Sequence, residues 1–411
     1  MAEINKTLLG GSLVLLLTFN LFNLLNFLYN FSMVRLLNLS EYGSLTVLLY
    51  LILIFGIFTE SIQTVVSKYS TDEKDPAKIK NIIKKSFKKS ILVSLAVFIL
   101  YLIIAGIFSI YMGIPYLLLF IVGLTIFFSF TIPITRGVLQ GKKRFKSLGF
   151  NVVSEGLLKL IFGVLLVYLG FGIYGAVLGA LIGTIFAFLL SLVSIKGILD
   201  LKEKKSGTPH IYNYTKPVFI ITLSVILFLS LDIIIAKILF PAELVGAYAI
   251  ASTIAKIIFI GTHPISRAMF PISTEAKNKK DSRNVLVNSL AIIISILIIV
   301  LLAVYYLPKM IISLYSGKEV LEAVKIIFYL SAAMGLLSMT NLILFYKLST
   351  GNIKNYYFCP AFVILEIILL LAFSKNLETF SIGLIISSVI FLIGSIFIIR
   401  NETFNNNSGA Q

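Results

Sequence analysis

The chain has 411 residues, of which 58% are hydrophobic and only 13% are charged, and its formal net charge is +17. A soluble domain carries about a quarter charged residues, so this composition excludes an ordinary soluble protein. The apolar residues form repeated runs of about 20 residues, long enough to cross a hydrocarbon core of about 30 Å, and they lack the alternation of a β-barrel. We therefore predict an all-α polytopic membrane protein.

Twelve apolar runs qualify as transmembrane helices. The first run is too long for a cleavable signal peptide and lacks a small-residue cleavage site, so we interpret it as the first span. Every predicted loop is short, which argues against an enzyme with a large extracellular catalytic domain. The predicted spans are 8–30, 43–66, 90–111, 115–139, 148–169, 172–195, 217–240, 244–270, 285–307, 322–346, 356–374 and 379–399.

The basic residues are distributed unequally between the two sides. When loops are assigned alternately, 27 of the 35 Lys and Arg residues fall on one side and five on the other. This is the positive-inside pattern, which predicts a multi-pass protein of the cell (cytoplasmic) membrane with both termini in the cytoplasm. The basic loops also favour anionic membrane lipids, and their distribution argues against nucleic-acid binding. One cysteine and two histidines predict no zinc site and no other metal or cofactor.

The first predicted span carries a polar stripe. At 100° per residue the stripe covers an arc of about 120°. An amide that faces lipid lacks a hydrogen-bond partner, so this face must contact protein or water. Hydrogen bonding between helices is one explanation, whereas polar residues along nearly the whole span favour the lining of a cavity, with asparagines that contact substrate. The stripe consists of Ser12, Asn20, Asn23, Asn26 and Asn30.

The second predicted span carries a carboxylate within a polar face. Glu60 shares this face with Gln63, Thr64 and Ser67. A charged residue inside a span must be hydrated or paired. We therefore predict a gating or charge-compensating role for Glu60.

The fifth predicted span contains two charges in an otherwise apolar run, S-E-G-L-L-K-L (154–160). Glu155 and Lys159 are four residues apart, and Glu preceding Lys by four is the favourable orientation on a helix, so the pair can partly neutralise itself. Counted from the cytoplasmic entry near Gly149, Glu155 lies about 9 Å deep and Lys159 about 15 Å deep. We predict that Lys159 binds substrate and that Glu155 has a gating or charge-compensating role.

The sixth predicted span and the segment after it define the predicted domain boundaries. Glycines in span 6 are spaced for close helix contact, which is a structural feature. A long basic segment follows and predicts a linker. We predict an N-terminal lobe at 1–200, a basic cytoplasmic linker at 201–216, a C-terminal lobe at 217–400 and a cytoplasmic tail at 401–411; the glycines are Gly175, Gly179 and Gly183.

The eighth predicted span has the most distinctive polar face, within an arc of about 100°. Three potential cations on one intramembrane face must each be hydrated or paired, although Arg267 alone can extend to the interface. Asp232 in span 7 adds a carboxylate, which we assign to gating or charge compensation; a packing role near the outer end of that span is the alternative. The face consists of the predicted substrate-binding residues Tyr248, Ser252, Lys256, His263 and Arg267.

The two halves of the chain share a weak internal repeat. A shift of 203 residues aligns 58–74 with 261–277, with five of 17 positions identical, and it places Glu60 on His263. The offset is six spans, and an even number of spans keeps the orientation, so the halves form a parallel repeat about an axis normal to the membrane.

A second, weaker similarity joins L-Q-G-K-K-R-F (139–145) to L-S-T-G-N-I-K (348–354), with one residue of slippage. In this register Glu155 falls on Glu366, whereas the position of Lys159 is occupied by Leu370. We predict that Glu366 shares the gating or charge-compensating role of Glu155.

Together these faces predict a polar cavity between two six-helix lobes, lined by spans 1, 2, 7 and 8. A cationic face fits an anionic group such as a phosphate or pyrophosphate. The amide, phenol and hydroxyl groups fit the hydroxyl groups of sugars. Nucleotide or drug-like anions would also satisfy this chemistry.

Several segments resemble the polysaccharide-biosynthesis flippases of the multidrug/oligosaccharidyl-lipid/polysaccharide exporter superfamily. With twelve spans in a 6+6 arrangement, the resemblance covers nearly the whole chain. It implies two lobes that alternate between inward- and outward-open states and a lipid-linked oligosaccharide as substrate, with glycan-assembly enzymes as possible partners. The segments are T-R-G-V-L-Q-G-K-K-R-F (135–145), E-G-L-L-K-L (155–160), L-G-F-G-I-Y-G-A-V-L-G (169–179), L-D-I-I-I-A-K-I-L-F-P-A-E-L-V-G-A-Y-A-I-A (231–251) and P-I-S-T-E-A (271–276).

The sequence therefore predicts a flippase for surface polysaccharide or glycan assembly, with no catalytic residues. Transport could be coupled to an ion gradient, but the sequence assigns no site to the ion. A cation-coupled multidrug exporter on the same fold is the nearest alternative, although the face around Lys256 would repel cationic drugs. A membrane-embedded glycosyltransferase or polymerase would need a larger outer loop with acidic residues. A non-transporting scaffold would leave the intramembrane charges without a use.

Overall fold

The computed structural model describes residues 2–206, 216–275, 279–350 and 353–401. Nearly all of this part is helical, because a helix satisfies its backbone hydrogen bonds internally where lipid offers none. An antiparallel pair of two-residue strands, β1 (Ile353–Lys354) and β2 (Arg400–Asn401), is the exception. The helices are α1 (Ala2–Leu36), α2 (Leu39–Asp72), α3 (Pro76–Met112), α4 (Tyr116–Gly141), α5 (Phe145–Leu166), α6 (Gly172–Ser194), α7 (Lys196–Leu199), α8 (Lys216–Leu239), α9 (Ala242–Thr274), α10 (Lys279–Tyr306), α11 (Pro308–Ser316), α12 (Leu321–Ser349), α13 (Cys359–Ala372) and α14 (Leu377–Phe397).

Ten helices of the described residues are long and apolar enough to cross a membrane. One of them, Phe145–Ser194, contains both α5 and α6, which a turn at Val167–Phe171 joins; Gly170 in this turn has a left-handed φ of 93°. Tyr356–Ala372 is a shorter apolar helix. The prediction of an all-α polytopic membrane protein is confirmed, and the predicted count of twelve spans is compatible with these helices. The nine-residue helix α11 between spans 9 and 10 was not predicted.

The chain forms two compact units, Met1–Ile211 and Tyr212–Gln411. In the first unit α4 packs against α2, α3 and α6, and α5 packs against α1 and α6. In the second unit α12 packs against α9, α10 and α14, and α13 packs against α8 and α14. Each pair in one unit has its counterpart six spans away in the other, as the predicted parallel repeat requires.

Glycines allow α1, α5 and α6 to approach closely in the first unit. A Cβ atom on Gly179 would lie 2.3 Å from the backbone nitrogen of Gly163, and one on Gly183 would lie 2.7 Å from the carbonyl oxygen of Glu155. Gly163 also contacts α1, because a Cβ there would lie 2.7 Å from the ring of Tyr29. The prediction of close helix contact at the span 6 glycines is confirmed, and this packing positions the charged residues of α5.

The beginning of the predicted linker lies along the first turns of α3. Glu203 accepts hydrogen bonds from Asn81 at 2.5 Å and from Lys84 at 2.7 Å. Lys204 pairs with Asp75, the N-cap residue of α3, at 3.2 Å. Residues up to 206 therefore belong structurally to the first unit.

Some predicted features fall outside the described residues. These are the middle of the linker, 207–215, the tail beyond 401, and the side chain of Ser12 in the span 1 stripe. The predicted boundaries at 201–216 and 401–411 stay predictions.

Candidate functional site

The second unit contains a buried ion pair between α8 and α9. The Lys256 ammonium donates to Oδ1 of Asp232 at 2.8 Å, and the exposed fractions of the two side chains are 1% and 0%. The hydroxyl groups of Tyr248 and Ser252 donate to Oδ2 of Asp232 at 3.0 and 3.2 Å. The three donors are spaced by four residues along α9, so they form one face of the helix, and this face surrounds a single carboxylate.

A second carboxyl group belongs to the same cluster. Glu366 on α13 is 0% exposed and lies within electrostatic range of Asp232 and Lys256. Neither of its oxygens has a hydrogen-bond partner within the described residues. We call Asp232, Tyr248, Ser252, Lys256 and Glu366 the acid–lysine cluster; it combines two carboxyl groups, one amine and two hydroxyl groups away from water.

The two remaining residues of the span 8 face lie further along α9. His263 is half-buried, and its ring stacks on Phe259 and meets the edge of Phe345, with both centroids 6.0 Å away. Arg267 is exposed, one turn further on, and interacts electrostatically with His263. The predicted face is therefore divided into a buried part that ends at Lys256 and a more accessible part that ends at Arg267.

The first unit contains a half-buried amine between α1 and α5. Lys159 donates to Oδ1 of Asn26 at 2.9 Å, and its Nζ lies 4.3 Å from the ring centroid of Tyr29. Tyr29 is itself fully buried and donates to the carbonyl oxygen of Ala176 on α6 at 2.9 Å. The cation–π contact and the amide together hold the amine in place.

The two charges of S-E-G-L-L-K-L interact electrostatically, but the ion pair of Glu155 is formed with a residue of another helix. Glu155 makes its ion pair with Arg136 on α4, at 2.5 Å between Oε2 and Nη2, and not with Lys159. Arg136 also donates to Asn151 at 2.7 Å, and Asn151 donates to the carbonyl oxygen of Ala187 on α6 at 2.7 Å. A guanidinium with a second acceptor holds the carboxylate more firmly than a flexible lysine on the same helix can.

The span 1 asparagines differ in exposure along α1. Asn20 and Asn23 are exposed, whereas Asn26 and Asn30 are half-buried. The amides of Asn20, Asn26 and Asn30 each donate to the carbonyl oxygen four residues earlier, at 2.9 to 3.0 Å. Asn20 and Asn30 keep the side-chain oxygen and a second N–H, which suits them to hydrogen-bond a hydroxyl group, whereas the oxygen of Asn26 accepts from Lys159. Glu60 on α2 is exposed.

Sequence reasoning missed Arg136, Asn151 and Tyr29. Arg136 was counted with the basic loop after span 4, but it lies inside α4 and is buried. A usable signal was the glycine spacing of seven on α5, at Gly149, Gly156 and Gly163. This spacing marks the face on which α1 packs and therefore the helix that carries the partners of Lys159.

Chemically, each unit contains an amine that is held by polar side chains in the interior of its helices. Both arrangements place a charged group among hydrogen-bonding partners, which fits binding and charge compensation. Within the described ranges no group of three His, Cys, Asp or Glu side chains could hold a metal ion. The substrate-binding and gating roles of the predicted residues stay predictions.

Comparison with known proteins places this fold in context. A protein-family model described as "Polysaccharide biosynthesis protein" matches residues 32–325, well over half of the chain. An uncharacterised membrane protein of Methanocaldococcus jannaschii is 29% identical over 183 residues, which are 41% of this chain and 44% of that relative. The match therefore spans less than half of the relative's length.

Solved structures similar to this chain include transporters. An inward-facing multidrug-resistance MATE transporter of the MOP superfamily has a TM-score of 0.73 and 12% identity, with 91% of this chain and 94% of that chain covered. The lipid II flippase MurJ, in an inward closed conformation, has a TM-score of 0.71 and 14% identity, with 94% and 87% covered. A MOP-superfamily transporter from Pyrococcus furiosus has a TM-score of 0.65 and 14% identity, with 95% and 94% covered. At such identities the likeness shows the fold alone, whereas the family model shows that this chain belongs to the polysaccharide biosynthesis protein family, with the fold of a MOP-superfamily membrane transporter.

Proposed function

We propose that this protein is a flippase that moves a lipid-linked oligosaccharide across the cytoplasmic membrane by alternating access. Membership of the polysaccharide biosynthesis family carries this proposal. The fold shared with the lipid II flippase MurJ supports it. The substrate is a glycan on a polyprenyl phosphate or pyrophosphate, whose lipid tail stays in the bilayer while the sugar head crosses.

The side chains of α1 and α5 supply the sugar and phosphate contacts. Lys159 is held by Asn26 and Tyr29 beside the accessible amides of Asn20 and Asn23. An ammonium next to amide donors and acceptors can bind a phosphate oxygen and neighbouring hydroxyl groups. The first unit therefore presents a mixed cationic and amide surface formed by α1 and α5.

The side chains of α9 contribute in a state-dependent way. Arg267 is exposed and His263 is half-buried, so both can reach a phosphate-bearing head in the conformation described. Lys256 is closed off by its bond to Asp232. It contacts substrate only in a state in which this ion pair opens, which gives Asp232, and the neighbouring Glu366, the gating role that we propose for them.

The direct test is transport by the full chain in liposomes. The protein is reconstituted with a fluorescently labelled oligosaccharide on polyprenyl pyrophosphate, and the fraction that becomes accessible to an externally added glycosidase is followed with time. We expect transport well above protein-free liposomes and a loss of at least tenfold in Lys159→Gln combined with Arg267→Gln. Lys74→Gln combined with Lys205→Gln removes the same charge from exposed positions and should keep wild-type rates.

Wild-type rates in the Lys159/Arg267 variant, at equal protein incorporation, would contradict the assignment of these cations. Absence of any transport by the wild-type chain would contradict the flippase itself.

The fold similarity to a multidrug-resistance transporter favours a second candidate, drug export. Ethidium efflux from cells that express the chain separates the two. The flippase proposal predicts no efflux, because Arg267 and Lys159 repel a cationic dye.

A further inference from the structure

The exposed apolar stripe of α3 is as long as a bilayer core is thick. Its exposed apolar side chains run from Ile91 to Ile110, where 81% of the side chain is accessible. These 19 steps correspond to about 29 Å at 1.5 Å per residue, which is the thickness of a bilayer core. The exposed aromatic residue Tyr111 follows directly and fits the aromatic belt of the interface.

Two neighbouring helices give the same thickness. From Phe150 on α5 to Tyr168 in the turn that follows, the exposed apolar residues span about 27 Å. On α6 and the turn before it they run from Phe171 to Val193, about 33 Å. Because three helices agree, the hydrocarbon boundary on the basic side of this unit lies close to Ile91, Phe150 and Val193.

Lysines lie directly beyond this boundary at the basic end of each of the three helices. Lys88 and Lys89 precede Ile91 on α3, Lys146 precedes Phe150 by one turn on α5, and Lys196 follows Val193 by three residues; all four are exposed. Their backbones lie about 3 to 6 Å outside the apolar edge, which is the level of the lipid phosphates. We call these four residues the basic collar.

The basic collar surrounds one packed core. Ile79 and Ile83 of α3, Leu148 of α5, and Ile195 and Ile198 at the junction of α6 and α7 belong to the same buried cluster. The helix ends that carry the lysines are therefore fixed relative to one another.

We propose that the basic collar binds the phosphate headgroups of anionic phospholipids in the leaflet next to the basic loops. Lysine is suited to this task, because its long stem follows the apolar surface while its ammonium reaches the phosphate. The attraction amounts to about a fivefold gain in binding per lysine near a membrane surface. Four lysines at one depth therefore select anionic over zwitterionic lipid.

Other lysines on α3 are engaged differently. Lys84 bonds to Glu203 at 2.7 Å and Lys85 bonds to the carbonyl oxygen of Ser206 at 2.9 Å, so both hold the start of the linker. Lys88 and Lys89 follow Lys84 and Lys85 along α3 and lie next to the hydrocarbon boundary. One helix thus uses its first lysines for the linker and its next lysines for lipid.

The second unit lacks this concentration of charge on its corresponding helix. On α10 the exposed apolar stripe begins at Val287, and the preceding turn exposes one cation, Arg283, and the neutral Asn284, with Asp281 close by in sequence. A general requirement for basic loops would place similar charge on both helices. At this boundary α3 therefore exposes two cations, whereas α10 exposes one.

The test is lipid binding by the purified full chain in detergent. Native mass spectrometry counts bound dioleoylphosphatidylglycerol and, separately, dioleoylphosphatidylcholine, which has the same acyl chains and no net charge. We expect the wild-type protein to bind the anionic lipid at least tenfold more tightly. One variant combines Lys88→Gln, Lys89→Gln and Lys146→Gln. It should lose most of this preference and bind phosphatidylcholine as the wild-type chain does.

A matched control carries Lys74→Gln, Lys202→Gln and Lys205→Gln, which remove three exposed charges away from the boundary. We expect it to keep the preference. Equal binding of the two lipids by the wild-type chain would overturn the proposal, and so would an equal loss in the control, because the attraction would then be diffuse. Displacement of the anionic lipid by stoichiometric polyprenyl phosphate would instead assign the collar to the transported carrier and also overturn it. No transport is measured, so the outcome is independent of the proposed flippase activity.

Discussion

Removal of the Lys256 ammonium is expected to destabilise the second unit more than any surface substitution. The Nζ–Oδ1 distance to Asp232 is 2.8 Å, and both side chains are buried. At this distance and an effective dielectric constant of about 20, the attraction is about 6 kcal/mol, which opposes the cost of burying both charges. Lys256→Met leaves the carboxylate with two hydroxyl donors beside a second carboxyl group, Glu366.

We expect Lys256→Met and Asp232→Asn each to lower the free energy of unfolding by about 3–5 kcal/mol, because each leaves an uncompensated buried charge. The double variant should cost clearly less than the sum of the two, with a coupling energy of at least about 2 kcal/mol. The difference arises because the double variant has neither charge left to bury.

The assay is SDS denaturation of the purified protein in mixed micelles, followed by circular dichroism, for the wild-type chain, both single variants and the double variant. Exposed Lys205→Met serves as the control and should change the free energy by less than about 0.5 kcal/mol. Strictly additive single effects, or single effects below about 1 kcal/mol, would refute the reasoning, since the ion pair would then not compensate the burial.

Three further results are expected. Gly179→Ala should disrupt α5–α6 packing and lower the melting temperature by several degrees, because its Cβ would lie 2.3 Å from a backbone nitrogen; Gly106→Ala, with nothing within 4 Å, is the control and should be neutral in the same thermal scan. Arg136→Gln should destabilise the protein by about 3 kcal/mol by leaving Glu155 unpaired, and Glu155→Gln in the same background should recover part of this loss in SDS denaturation. The hydrogen bond from the Ala77 N–H and the Lys204 ammonium lower the pKa of Asp75. The contact of Asp75 with the linker is therefore present above the ordinary carboxyl range and is lost as the pH falls through that lowered pKa. A spin label at position 205 should gain mobility on acidification, and Asp75→Asn should show that mobility already at pH 7.

The membrane class and the helices followed from sequence because they depend on local properties. Runs of about 20 apolar residues can only be satisfied as helices in lipid, whatever their neighbours. Glycines four residues apart on span 6 predicted close packing, which the contact between Gly179 and Gly163 confirms. The repeat predicted from 58–74 and 261–277 agrees with the same order of packed helices in both units.

The partners of the charges could not be predicted in this way. Glu155 and Lys159 share a helix face by spacing, but α4 brings Arg136 to the carboxylate, and α1 brings Asn26 to the amine. Periodicity likewise placed Lys256 on one face with Arg267, whereas α8 supplies Asp232 to the first and leaves the second exposed. Spacing along one helix determines which residues lie together on a face; which helix packs against that face determines whether a charge is paired, buried or accessible, and this depends on contacts between residues far apart in the chain.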